Sequence, residues 1–122
     1  MLIRNLDDVF GENDPVRRRA AIDEIFTDDC VFYEPRGTYR GREEIFRFLA
    51  KLPKETDGTY ASELRDVLAS RDRAAALYRA SGTRHGRRLE LDQVLLFRIE
   101  GGLVHEVLAL PSDPEAFEAF WA

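Results

Sequence analysis

Lysine is nearly missing from this chain. Of its 18 basic residues only Lys51 and Lys54 are lysines and the rest are arginines, a bias that reads as a GC-rich bacterial coding sequence rather than as chemistry. Cysteine is scarcer still. With Cys30 alone no internal disulfide can form, and a reducing cytoplasm is the expected setting. No apolar run approaches the ~20 residues needed to span a bilayer. Met1-Leu2-Ile3-Arg4-Asn5 lacks the basic start and apolar block of a signal peptide. Positive charge is in deficit overall, and a net charge of −5 argues against a nucleic acid or an anionic membrane as partner. No phosphate-cradling glycine loop or dinucleotide fingerprint occurs, so no cofactor is expected. Histidine is limited to His85 and His105. With Glu34 or Asp92 they make a facial triad only on paper, because no short-range ligand spacing supports it, and no metal is expected.

What is present has the balance of an ordinary globule. Over 122 residues, 44% are hydrophobic and 34% charged, which suits one domain over residues 1–122 with one core. Apolar residues at helical spacing predict a first helix over residues 2–10, ended by Gly11. Asp14-Pro15 caps a second, with Ile22, Ile25 and Phe26 as its buried stripe and Arg17-Arg18-Arg19 as a solvated face. A strand-turn-strand over residues 28–41 follows. A third helix runs from Arg42 to Leu52, closed by Pro53. From Thr59 the period becomes two, and four strands are expected over residues 60–69, 73–84, 87–99 and 103–110, turning as an antiparallel meander. Asp113-Pro114 caps a short terminal helix. The expected fold is an α+β cone: three N-terminal helices on a strongly curved antiparallel sheet, with an apolar hollow at the open end.

Glu34 stands out. Alternation puts it on the same strand face as Phe32, and Pro35 holds its backbone extended. On the third long strand Gln93 lies in a row of Leu89, Leu91, Leu95, Phe97 and Ile99, where an unpaired amide would cost ~1–3 kcal/mol. A two-residue turn at His85-Gly86 sets Tyr78 opposite Gln93. A three-residue turn at Glu100-Gly101-Gly102 sets Ala109 opposite Gln93 and His105 opposite Phe97. The expected wall is thus Glu34, Tyr78, Gln93 and His105 among Phe32, Leu91, Leu95, Phe97, Val107 and Ala109. A one-residue slip would expose Asp92 to the hollow instead. Each polar member has a plainer reading. Glu34 can pair with Arg36 or Arg40 at the surface, Tyr78 and Gln93 can bond only each other, and His105 can be solvated. Val94 and Leu96 on the outer face suit a partner surface. Cys30 lacks a placed base and reads as a small buried hydrophobe.

The run Thr27-Asp28-Asp29-Cys30-Val31-Phe32-Tyr33-Glu34-Pro35, with Tyr39-Arg40-Gly41 and residues 95–104, resembles the SnoaL-like branch of the NTF2-like superfamily. That branch includes polyketide cyclases and ketosteroid isomerases. The resemblance implies a homodimeric cone, paired through the outer sheet face, that binds a small apolar or aromatic carbonyl compound. In the isomerases a carboxylate before a proline in this strand is the general base, which Glu34-Pro35 matches. The position of the oxyanion acid falls on Gln93, and that of the helix-one tyrosine near Leu6 or Phe10, leaving Tyr78 as a substitute donor. The acid/base Asp of the cyclases falls on Ala109, and the Arg-x-Asp of epoxide-hydrolase relatives has no counterpart. The resemblance therefore implies proton transfer with Glu34 as base if the protein is an enzyme. The alternatives are a non-catalytic binding or accessory module and a dehydratase-type lyase using Tyr78 and His105.

Overall fold

Asp14 starts the first complete helix, α1 (Pro15–Ile25). Its Oδ1 accepts the Val16 N–H at 2.9 Å, and Pro15 fills the first turn, where an N–H would be unused. Asp14→Ala is expected to cost about 1 kcal/mol, read as a lower urea midpoint. The nearby Arg17 pair, 3.7 Å away and exposed, contributes little of that. The computed structural model describes residues 7–122. Residues 7–10 are helical and end at Gly11, whose N–H donates to the Asp7 carbonyl at 2.8 Å. The earlier part of the expected 2–10 helix lies outside the described residues.

The remaining elements are β1 (Phe26–Glu34), β2 (Gly37–Arg40), α2 (Gly41–Glu55), β3 (Ala61–Ala69), β4 (Arg73–Arg84), β5 (Arg87–Glu100), β6 (Leu103–Pro111) and α3 (Pro114–Trp121). They build an α+β fold on one six-stranded sheet in the order β2-β1-β6-β5-β4-β3. Three expectations change. The sheet has six strands rather than four, and β1 joins it parallel to β6. The β1–β2 hairpin stands before α2, as the expected strand-turn-strand over residues 28–41 did, so the three N-terminal helices are not consecutive. Strand β1 starts at Phe26, since α1 passes straight into extended backbone there (φ −97, ψ 145). Pro53 also sits inside α2 rather than ending it. The Thr56 hydroxyl takes up the Leu52 carbonyl at 2.7 Å and the chain turns only after that.

Two hairpins decide which side chains meet. His85 (φ 52) and Gly86 (φ 76) form the two-residue turn whose left-handed backbone suits strand twist, and Tyr78 pairs with Gln93. The next turn is also two residues long, Gly101-Gly102, both with positive φ. One extra residue then enters β6 as a bulge, so Leu95 pairs with Ala109, Phe97 with Val107 and Gln93 with Pro111. The expected pairings of Gln93 with Ala109 and Phe97 with His105 are therefore displaced by two residues.

The core lies between the helices and the inner sheet face, where Ile22, Phe26, Ile45, Tyr78, Phe97 and Val107 are closed to solvent. The outer face leaves Leu68, Leu96 and Leu110 exposed. Among the described residues no helix is long and apolar enough to cross a membrane.

Candidate active site

Helices and inner sheet enclose a cavity of about 60 Å³. That is room for a few waters and well under the ~300–1,000 Å³ of most ligand pockets. A ligand must be small, or must displace wall side chains such as Phe10. Glu34, Tyr78 and Gln93 all line it, as do Phe32, Leu91, Leu95 and Ala109. Phe97 and Val107 are equally buried but belong to the core beside it. His105 does not line it. As the residue at the bulge, its Nδ1 lies 3.5 Å from Thr27 Oγ1, 3.6 Å from Asp29 and 3.7 Å from Glu100. Tyr78 and His105 therefore do not converge on one point.

Glu34 is inside and already engaged. Its side chain is 3% exposed. Oε1 accepts the Arg36 N–H at 2.9 Å and the Tyr39 hydroxyl at 3.2 Å, while Oε2 faces Arg36 Nε at 3.5 Å. Arg36 does not pull Glu34 outward, because Arg36 is itself part of the wall. Its guanidinium lies over the Trp121 ring at 4.4 Å from α3, a stacking that anchors it at the cavity rim. Arg40 makes no ion pair with Glu34 among the described residues, and its backbone N–H donates to Glu44 Oε1 at 2.9 Å.

The polar pair across β4 and β5 is not a closed pair. Tyr78 donates its hydroxyl to Asp7 Oδ1 at 3.3 Å. No hydrogen bond among the described residues involves the Gln93 amide, which leaves it available to a ligand. Tyr78 can reach a ligand oxygen as donor only by giving up Asp7. Among the described residues no group of three or more His, Cys, Asp or Glu converges as a metal site.

The sequence model of the SnoaL-like domain matches residues 3–107. The chain belongs to the SnoaL-like family. This SnoaL-like protein is 29% identical over 109 residues to an uncharacterized protein of Mycobacterium tuberculosis, covering 84% of this chain and 83% of that one. Its fold matches Bal32a, from a soil-derived mobile gene cassette, with TM-score 0.88 and 25% identity over 99% of this chain and 96% of that one. A candidate SnoaL-like polyketide cyclase from Jannaschia sp. CCS1 matches with TM-score 0.79 over 99% and 92%, at 17% identity. That last likeness is one of fold alone.

Within the SnoaL-like cavity, burial pushes the Glu34 carboxyl above its ordinary value, against the opposing pull of Arg36 and Tyr39. A carboxyl with a raised folded pKa binds its proton more tightly in the fold. Its penalty on stability is therefore complete above that pKa and is relieved as pH falls toward the unfolded value of 4.5. Burial, then Glu34, lift the Tyr39 phenol to about 12, so it stays a donor. Tyr39→Phe removes a bond that favours the charged carboxylate, and is expected to move the Glu34 titration further up, read by carboxyl ¹³C NMR against pH. Burial also lifts the Cys30 thiol to about 12, which leaves it unreactive.

Spacing and register place two further residues of the site, Arg18 in the cavity wall and Tyr39 behind it on Glu34. Arg18 is 4% exposed, not part of a solvated face. It falls at i, i+3, i+4 and i+7 with Ala21, Ile22 and Ile25, the buried stripe of α1, and reading Arg17-Arg18-Arg19 as one run hid that spacing. Tyr39 pairs with Phe32 across the Pro35-Arg36 turn, which puts it on the face of Glu34 by register alone. Trp121 gave no sequence signal beyond its place in the terminal helix.

Proposed function

We propose that the protein binds a small aromatic or apolar carbonyl compound and that Glu34 moves a proton at the carbon next to the carbonyl. Glu34 Oε2 takes the proton, and the Gln93 amide donates to the oxygen that becomes an enolate. Tyr78 adds a second donor only where the ligand oxygen displaces Asp7. The observation that carries this reading is a carboxylate with a 3% exposed side chain that lines one cavity with the apolar Phe32, Leu91 and Leu95 and with the amide of Gln93. Burial raises its affinity for a proton toward that of a working base. Relatedness to polyketide cyclases and isomerases in fold agrees with carbonyl chemistry, though this fold carries many activities.

A second reading has its own support. Arg36 faces Oε2 at 3.5 Å and partly neutralises it, which suits a binding module without turnover. The dehydratase reading has no such support, since His105 is held by Thr27, Asp29 and Glu100. Exchange of the benzylic protons of 1-phenylpropan-2-one in D2O, followed by proton NMR, separates the first two. Exchange above the buffer rate by the wild type supports catalysis, and binding without added exchange supports the binding module.

A further inference from the structure

Arg18 is a charge in the wrong solvent. It is 4% exposed and lines the same cavity as Glu34 and Gln93. Its Nε and Nη2 donate to one backbone carbonyl, that of Glu12, at 3.1 and 2.7 Å. Among the described residues it has no carboxylate within ion-pair distance. The Glu12 carboxylate is near enough to bear on its charge, but it makes no ion pair with the guanidinium, and its Oε2 accepts the N–H groups of Asn13 and Asp14, each at 3.1 Å. Nη1 has no hydrogen bond among the described residues and yet is not sealed off. A guanidinium cannot shed its charge at neutral pH, and a buried charge without a counter-ion is disfavoured. A structural clamp onto Glu12 explains Nε and Nη2 but leaves Nη1 over.

The surroundings favour an anion at that nitrogen. Tyr60 and Ser62 line the cavity with Arg18 and Arg36, and both arginines bear on the Tyr60 phenol. Burial holds that phenol at about 12, so it remains a neutral donor. The carboxylates paired with this group, Glu34 at 3.5 Å and Glu55 at 3.9 Å, both face Arg36. One guanidinium nitrogen and neighbouring hydroxyls suit a planar carboxylate.

We propose that the ligand is an aromatic oxo acid whose carboxylate pairs with Arg18, a proposal that rests on the carbonyl-binding reading above. Its ring displaces wall side chains such as Phe10 and packs among the phenylalanines, and its carbonyl faces Gln93. Arg18 is then a specificity-determining residue that selects the acid over the neutral ketone.

A matched pair of probes tests this by calorimetry. Phenylpyruvate and 1-phenylpropan-2-one share a benzyl ketone and differ in a carboxylate against a methyl group. The wild type is expected to bind the acid at least about tenfold tighter, the scale of a charge-assisted hydrogen bond. Arg18→Gln is expected to erase that preference while the neutral ketone keeps its affinity. Arg18→Lys, which keeps the charge and loses the planar fork, is expected to retain part of it. Equal affinity of the wild type for both probes overturns the proposal and leaves the carbonyl reading standing, as does a preference that survives Arg18→Gln. Binding of neither probe overturns both. Should Arg18→Gln fail to fold, Arg18→Lys decides, and a preference undiminished in it overturns the proposal.

Discussion

Replacing Glu34 by glutamine is expected to cut benzylic proton exchange by about 10²–10⁴-fold, the usual contribution of a positioned base, while ligand affinity changes little. Glutamine keeps the size of the side chain and an oxygen acceptor for the Arg36 N–H and the Tyr39 hydroxyl. What it removes is the basic oxygen that faces Arg36 Nε. The comparison of exchange rates in D2O with calorimetric affinity separates the two effects. Loss of affinity in step with exchange would mean that Glu34 holds the ligand rather than working on it. Unchanged exchange would remove the mechanism.

Phe26→Ala is expected to lower stability by about 3–5 kcal/mol, the range for a buried aromatic cut to alanine. Phe26 has no exposed surface, and its ring lies 6.2 Å from that of Phe10 on the cavity side. It stands where α1 becomes β1 and pairs with Val104 of β6. Its carbonyl accepts two bonds from Arg42, at 2.9 and 2.6 Å, and that clamp survives the substitution. The loss therefore reports the ring alone. Against a typical total of about 5–15 kcal/mol, a urea midpoint should fall steeply. A shift equivalent to less than about 1 kcal/mol would show that the packing around Phe26 closes over the gap.

Local chemistry made most of the fold legible. The Asp14-Pro15 cap and the His85-Gly86 turn each follow from two adjacent residues, and the turn alone brings Tyr78 opposite Gln93. What escaped were non-local or phase-shifting features. The parallel pairing of β1 with β6 joins residues more than seventy apart in sequence, Phe26 and Val104 among them, and no periodicity announces it. The bulge in β6 adds one residue, which spares Val107 and Ala109 but turns His105 out of the cavity. Asp7 meets Tyr78 across a separation of 71 residues, so the real partner of that hydroxyl could not be read from the strand pattern. Arg18 was different. Its helical spacing was in plain view, and a tripeptide of arginines concealed it.

The proposed chemistry needs one buried carboxyl whose proton affinity is raised by its cavity. A ¹³C NMR titration of protein labelled at the glutamate side-chain carboxyls measures it most directly. One resonance, absent from Glu34→Gln, should titrate above the ordinary carboxylate range and move again when 1-phenylpropan-2-one is bound. If every glutamate titrates at its ordinary value, or if the Glu34 resonance ignores the ligand, the carboxyl is neither tuned by the cavity nor in contact with what enters it.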